Sequence, residues 1–216
     1  IGVGVLDLAI FLIAGSLWVT SSVAFSDHKK FVAGLGQELG VEFVSGWSRE
    51  GAFSGVSILG LGPCYKGVYK GRRIAVACVA PAPGVARPGC RASLYYHAAN
   101  RVGLTLKFNV ADAFARQDMA DSPSVLARAV KTGDNRLKCW AVRSKRAKAL
   151  LNNDIFREKI RVSVSDMEKI RGALIIQDNR ITAIIPDQAS VSRELVEQLD
   201  DLRAACSAAL AGAAYP

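Results

Sequence analysis

The sequence is poor in the residues that build metal and disulfide sites. Only two histidines, His28 and His97, occur in 216 residues, so a multi-histidine metal centre would need carboxylates for most of its ligands. The five cysteines, at 64, 78, 90, 139 and 206, include no C-x-x-C pair, which argues against a zinc ribbon or a thioredoxin-type motif. An odd count without framework spacing fits a reducing compartment. Neither a G-x-S-x-G elbow nor an H-E-x-x-H helix is present. Gly62–Gly67 has the glycine spacing of a phosphate loop, but Val68 and Tyr69 stand where Lys and Ser/Thr are required. Gly34-x-Gly36-x-x-x-Gly40 is likewise off the dinucleotide spacing. Disorder and low complexity are excluded too, because half of the residues are hydrophobic and only 22% are charged.

What the chain does have begins near its start. Leu8 to Phe25 is an eighteen-residue run without a charge, long enough as a helix to match most of a hydrocarbon core of about 30 Å. This predicts an N-terminal transmembrane helix over 1–25 rather than a cleaved leader, with Asp7 at the headgroup boundary. Ser16, Thr20 and Ala24 recur at four-residue spacing and give the span one small face for helix packing. Lys29 and Lys30 follow directly, and basic flanks stay cytoplasmic. The expected location is therefore a bacterial inner membrane, single-pass, with the extrinsic part on the cytoplasmic side.

The extrinsic part reads as α+β. Residues 26–40 suit a short amphipathic helix with Phe31, Val32, Leu35 and Leu39 on one side and Gly40 as its stop. Strand-like runs separated by Gly and Pro fill 52–110, with the Pro-rich stretch 81–89 as a connection. The second half, 111–216, reads β-α-β-β-α after a short helix near Ser124–Lys131. It contains a hairpin around Asp178-Asn179 and a closing helix over 190–210 that starts at Ser190. The expected domains are the span, a β-rich subdomain over 26–110 and an α+β subdomain over 111–216.

Several landmarks fall in a fixed order: Leu35–Gly40, then Gly67-x-x-x-Gly71-Arg72-Arg73, Thr132-Gly133-Asp134, Trp140-x-Val142, Leu150-Leu151 and the Leu174…Asp178-Asn179…Ile181 hairpin. In this the chain resembles a loose group of bacterial membrane-anchored α+β proteins over residues 30–210. It departs from the group's pattern in Asp178-Asn179, where Asp-Gly is usual, and in Leu137-Lys138, where Phe-Asp often follows Thr-Gly-Asp. The resemblance implies an order of elements and no activity.

Charge is the most informative feature. Between Arg128 and Arg171 thirteen basic residues face five acidic ones, a net +8 in 44 residues out of +9 for the whole chain. Arg143, Lys145, Arg146 and Lys148 are the densest part. A solvated face, anionic headgroups or an acidic subunit, and nucleic acid are the competing readings. Few aromatics interleave the cations, which disfavours nucleic acid. The expected function is a non-catalytic accessory subunit with no cofactor and no metal. It would contact membrane lipids and other subunits through Lys29, Lys30, Arg143, Lys145, Arg146 and Lys148, with a photosynthetic reaction-centre and antenna assembly as first-guess host. The alternatives are a ligand-binding or sensor domain, and a thiol enzyme using Cys90 or Cys139 with His97.

Overall fold

The computed structural model describes residues 25–48, 62–79, 89–97, 101–108 and 124–212. Most of the proposed span, with Asp7, Ser16, Thr20 and Ala24, lies outside them. Among the described residues no helix is long and apolar enough to cross a membrane. The expected single-pass, inner-membrane architecture is corrected accordingly.

Among the described residues nine strands form one antiparallel sheet: β1 (Val44–Ser48), β2 (Gly62–Tyr69), β3 (Arg72–Val79), β4 (Gly89–Tyr95), β5 (Thr105–Phe108), β6 (Arg128–Val130), β7 (Leu137–Ala141), β8 (Ala173–Gln177) and β9 (Arg180–Ile185). Their spatial order is β1-β2-β3-β4-β9-β8-β5-β7-β6. The described residues also include the α-helices α1 (25–39), α2 (Ser144–Leu151), α3 (Asp154–Lys169) and α4 (Arg193–Gly212).

This order corrects the expectation of two successive halves. β4 of the first half pairs with β9 of the second, with Leu94 opposite Ile181 and Cys90 opposite Ile185. β5 then sits between β8 and β7, pairing with both. A division near 111–125 would cut through a continuous ladder. The sequence pattern marks each strand but not its partner, since apolar strands of similar length pair equally well on paper. The expected short helix near Ser124–Lys131 is also corrected, because its core is edge strand β6, whose Val130 is buried.

One sheet face carries the main core. Tyr65, Ile74, Val76, Leu94, Leu106, Leu174, Ile176 and Ile181 pack there with Val32 and Leu35 of α1, Leu150, Phe156, Ile160 and Val164 of α2 and α3, and Leu199, Leu202 and Cys206 of α4. The opposite face is buried as well along β3, β4, β8 and β9, through Ala75, Ala77, Val79, Ser93, Ala173, Ile175, Thr182 and Ile184. Strands enclosed on both faces read as continuous apolar runs, which is why Ile74–Val79 and Ile181–Ile185 show little alternation. The β2–β3 hairpin closes through Lys70 and Gly71, both at positive φ (46° and 74°), a pairing that matches the twist of a two-residue turn.

Local capping explains the helix ends. Asn153 accepts the Phe156 N–H at 3.0 Å and starts α3. α4 starts at Arg193 rather than Ser190, because Gln188–Ser190 forms a 3₁₀ turn capped by Asp187 and Ser192 Oγ takes the Leu195 N–H at 3.4 Å.

A buried polar contact ties α1 to that 3₁₀ turn: His28 Nδ1 lies 2.9 Å from Gln188 Oε1, with Nε2 buried and without a partner. Burial holds the imidazole below its ordinary pKa, and the Gln188 contact only partly offsets this. The folded chain keeps His28 neutral where the unfolded chain takes up a proton. Its contribution is therefore complete above the unfolded value of about 6.5 and is lost as pH falls below it. Urea unfolding between pH 7.5 and 5 should show stability declining with a slope approaching about 1.4 kcal/mol per pH unit at the acid end, and His28→Gln should flatten that part of the curve.

Candidate anionic-partner surface

The basic segment forms the far edge of the sheet. β6 and β7 pair with Val130 opposite Cys139, and α2 packs against both. The buried face of α2 is Ala147, Leu150 and Leu151. Lys145 and Lys148 are turned outward, with Arg146 half-buried and Arg143 exposed at the helix start.

A short relay of backbone contacts positions this corner. Asp178, in the β8–β9 turn, accepts the Gly103 N–H at 2.6 Å and the Leu104 N–H at 3.2 Å. The preceding Val102 carbonyl then accepts the N–H groups of both Val142 and Arg143, at 3.1 and 2.9 Å. Gly103 has φ +66°, and a Cβ there would come within 2.5 Å of the Val142 side chain. The turn that presents Arg143 is thus fixed by groups about 35 to 41 residues away in the chain.

Electrostatics divide the thirteen cations into two sets. Arg136 bridges Asp134 and Glu168, Arg157 pairs with Asp154, Arg161 with Glu158, Lys169 with Asp166, and Lys159 with Asp201 of α4. Every acid of the segment is consumed by these pairs. Among the described residues Arg128, Lys131, Lys138, Arg143, Lys145, Arg146, Lys148 and Arg171 have no ion-pair partner. Seven of the eight lie between 128 and 148, on β6, β7 and α2 or the turns beside them. Exposed aliphatic side chains border them: Val125 and Leu126 just before β6 and Val142 just after β7. Since Arg128 pairs with Ala141, the antiparallel register runs these two flanks past one another.

Lys29 and Lys30 are exposed on α1, whose inner face packs towards the β1–β2 edge around Val41 and Tyr65. From β2 to β7 are six strand spacings, on the order of 30 Å along the sheet. The six expected contact residues therefore fall into two separate places, and the structure gathers only Arg143, Lys145, Arg146 and Lys148. Val125, Leu126 and Val142 were not singled out in the sequence, where isolated aliphatic residues look the same whether exposed or buried.

Thiol chemistry finds no geometry here. All five cysteines are buried. Cys90 is the second residue of β4 and His97 follows the strand's end, seven residues of nearly extended chain away, roughly 20 Å. Burial pushes the Cys90 thiol far up and raises Cys78 to about 11 and Cys139 and Cys206 to about 12. Among the described residues no group of three or more His, Cys, Asp or Glu could hold a metal ion.

No family model matches the chain, and no curated protein does. Among solved structures it is similar to the crystal structure of the mycobacterial trehalose monomycolate transport factor A, with 10% sequence identity and a TM-score of 0.46. The match covers 85% of this chain and 97% of that one. A likeness at that level assigns neither fold family nor activity. Nothing in the structure or in these comparisons points to a photosynthetic host, and that expectation is dropped.

Two outcomes are expected. Native protein at pH 8 should react with a thiol reagent such as DTNB at less than one site per chain, and at five after denaturation. Asp178→Ala should lower stability by about 2–4 kcal/mol in denaturant titration, because it removes a buried carboxylate from two backbone donors.

Proposed function

We propose that the chain is a non-catalytic accessory protein that docks peripherally on an anionic lipid surface through the β6–β7–α2 corner. The observation that carries this reading is the sorting of charge: the five acids of 128–171 are all spent on four cations, a fifth cation, Lys159, pairs with Asp201, and seven of the remaining eight gather at a single corner beside Val125, Leu126 and Val142. Cations near an anionic leaflet contribute about 1 kcal/mol each, and exposed aliphatic side chains add apolar area that headgroups can cover. A merely solvated face accounts for the charge but not for Leu126, 73% exposed, beside it.

Co-sedimentation with vesicles tests the proposal. The chain should bind phosphatidylglycerol vesicles and not phosphatidylcholine vesicles at 0.1 M salt, and lose binding by 0.5 M. Replacing Arg143, Lys145, Arg146 and Lys148 together by Ser should weaken binding tenfold or more. Folding should be retained, because Arg143, Lys145 and Lys148 are exposed, where substitutions usually change stability by less than about 0.5 kcal/mol, and the half-buried Arg146 lies outside the buried face of α2. Equal binding of the quadruple variant would overturn the reading. Retention on an acidic protein column with no vesicle binding would replace the lipid with an acidic protein.

A further inference from the structure

The turn that leads into β6 carries unusual residues at its apex. Ser124 to Ala127 forms a tight turn: the Ala127 N–H donates to the Ser124 carbonyl at 2.8 Å, and the Leu126 N–H to Ser124 Oγ at 3.3 Å. The two central positions of such turns usually go to Gly, Pro, Asn, Asp or Ser, each of which favours the bend for its own reason. Here they are Val125 and Leu126. Ser124 supplies the turn chemistry, so the backbone has no need of aliphatic side chains there. Core packing has none either, because Val125 is 101% exposed and Leu126 73%. One exposed aliphatic residue is ordinary on a protein surface. Two at the apex of a hydrogen-bonded turn, with Val142 close by, form a patch that water alone does not favour.

The charges around the turn are layered behind it. Arg128 pairs with Ala141, so Arg128, Val142 and Arg143 all lie at the end of the β6–β7 ladder that the turn occupies. Arg128 is two residues behind Leu126, about 7 Å along an extended chain. Arg143 directly follows Val142, and both arginines are exposed. Lys131 and Lys138 stand at the opposite end of the hairpin, one residue beyond the Val130–Cys139 pair, about 10 Å further back. No acidic residue occurs in 124–133 or in 138–153. Aliphatic groups outermost with cations one step behind is the order of a bilayer boundary, where acyl chains lie beneath the phosphates.

We propose that the Val125–Leu126 turn is a bilayer-inserting tip. This rests on the lipid-docking reading above and adds a direction and a depth to it. The β6–β7 hairpin approaches an anionic bilayer end-on, Val125 and Leu126 pass below the headgroups, and Arg128 and Arg143 stay at the level of the phosphates. The spacing between tip and arginines matches the roughly 5–10 Å to which apolar faces of peripheral elements enter the headgroup and acyl boundary. Binding then has two separable parts, a cationic one that salt screens and an apolar one that it does not.

The full chain carrying Leu126→Cys, labelled with an environment-sensitive fluorophore such as NBD, tests the tip. The five native cysteines are buried, so the label goes to position 126. On phosphatidylglycerol vesicles at 0.1 M salt its emission should shift to the blue. Spin labels on the acyl chains should quench it at least about twofold more than spin labels on the headgroups. The same label at Ser190→Cys, an exposed residue outside the corner, should show neither effect. In co-sedimentation, Val125→Ser combined with Leu126→Ser should weaken binding about tenfold or more, by a factor that salt between 0.05 and 0.2 M leaves unchanged. Arg128→Ser with Arg143→Ser should weaken it at least about threefold more than Lys131→Ser with Lys138→Ser, since end-on the lysines stand beyond a Debye length of about 8 Å from the phosphates. If the parent binds vesicles while the label at 126 keeps its aqueous emission, or if the Val125/Leu126 variant binds as the parent does, insertion is overturned and docking stands. Equal losses from the arginine and lysine pairs would overturn the end-on approach. Absence of vesicle binding by the parent would overturn both readings.

Discussion

The Asp178 carboxylate is the contact on which the arrangement of this molecule turns. It sits in the two-residue turn between β8 and β9 and takes the N–H groups of Gly103 and Leu104, the residues that lead into β5. β5 has only four residues, yet it joins β8 to β7 and so carries the whole β6–β7–α2 edge. A four-residue strand holds few ladder bonds, and an anchored entry reduces the entropy it must overcome to pair on both sides. The same segment supplies the Val102 carbonyl that fixes Val142 and Arg143. The position of the basic corner is therefore inherited from a turn in the middle of the sheet.

Much of the local structure was legible because it depends on near neighbours. Phe31, Val32, Leu35 and Leu39 do line the inner side of α1, with Gly40 beyond it at φ +65°, and the β8–β9 hairpin forms around Asp178-Asn179. The pairing order was not legible. Nothing in the composition of β4 distinguishes β9 from β3 or β8 as a neighbour, since all are short runs of Ile, Val, Ala and Leu, and the two halves interleave through β5. Edge strand β6 was read as helix for the same reason: Arg128-Ala129-Val130 has too few residues to express a period, and its pairing with β7 decides its conformation. The two start signals near α4 also competed, and Asp187 took the earlier one as a 3₁₀ turn, leaving the helix to Ser192.

The candidate site divides along the same line. A run of basic residues at 143–148 is visible in one window, so the corner could be located from sequence alone. Which of the thirteen cations are neutralised could not, because Arg136–Glu168 and Lys159–Asp201 join residues 32 and 42 apart.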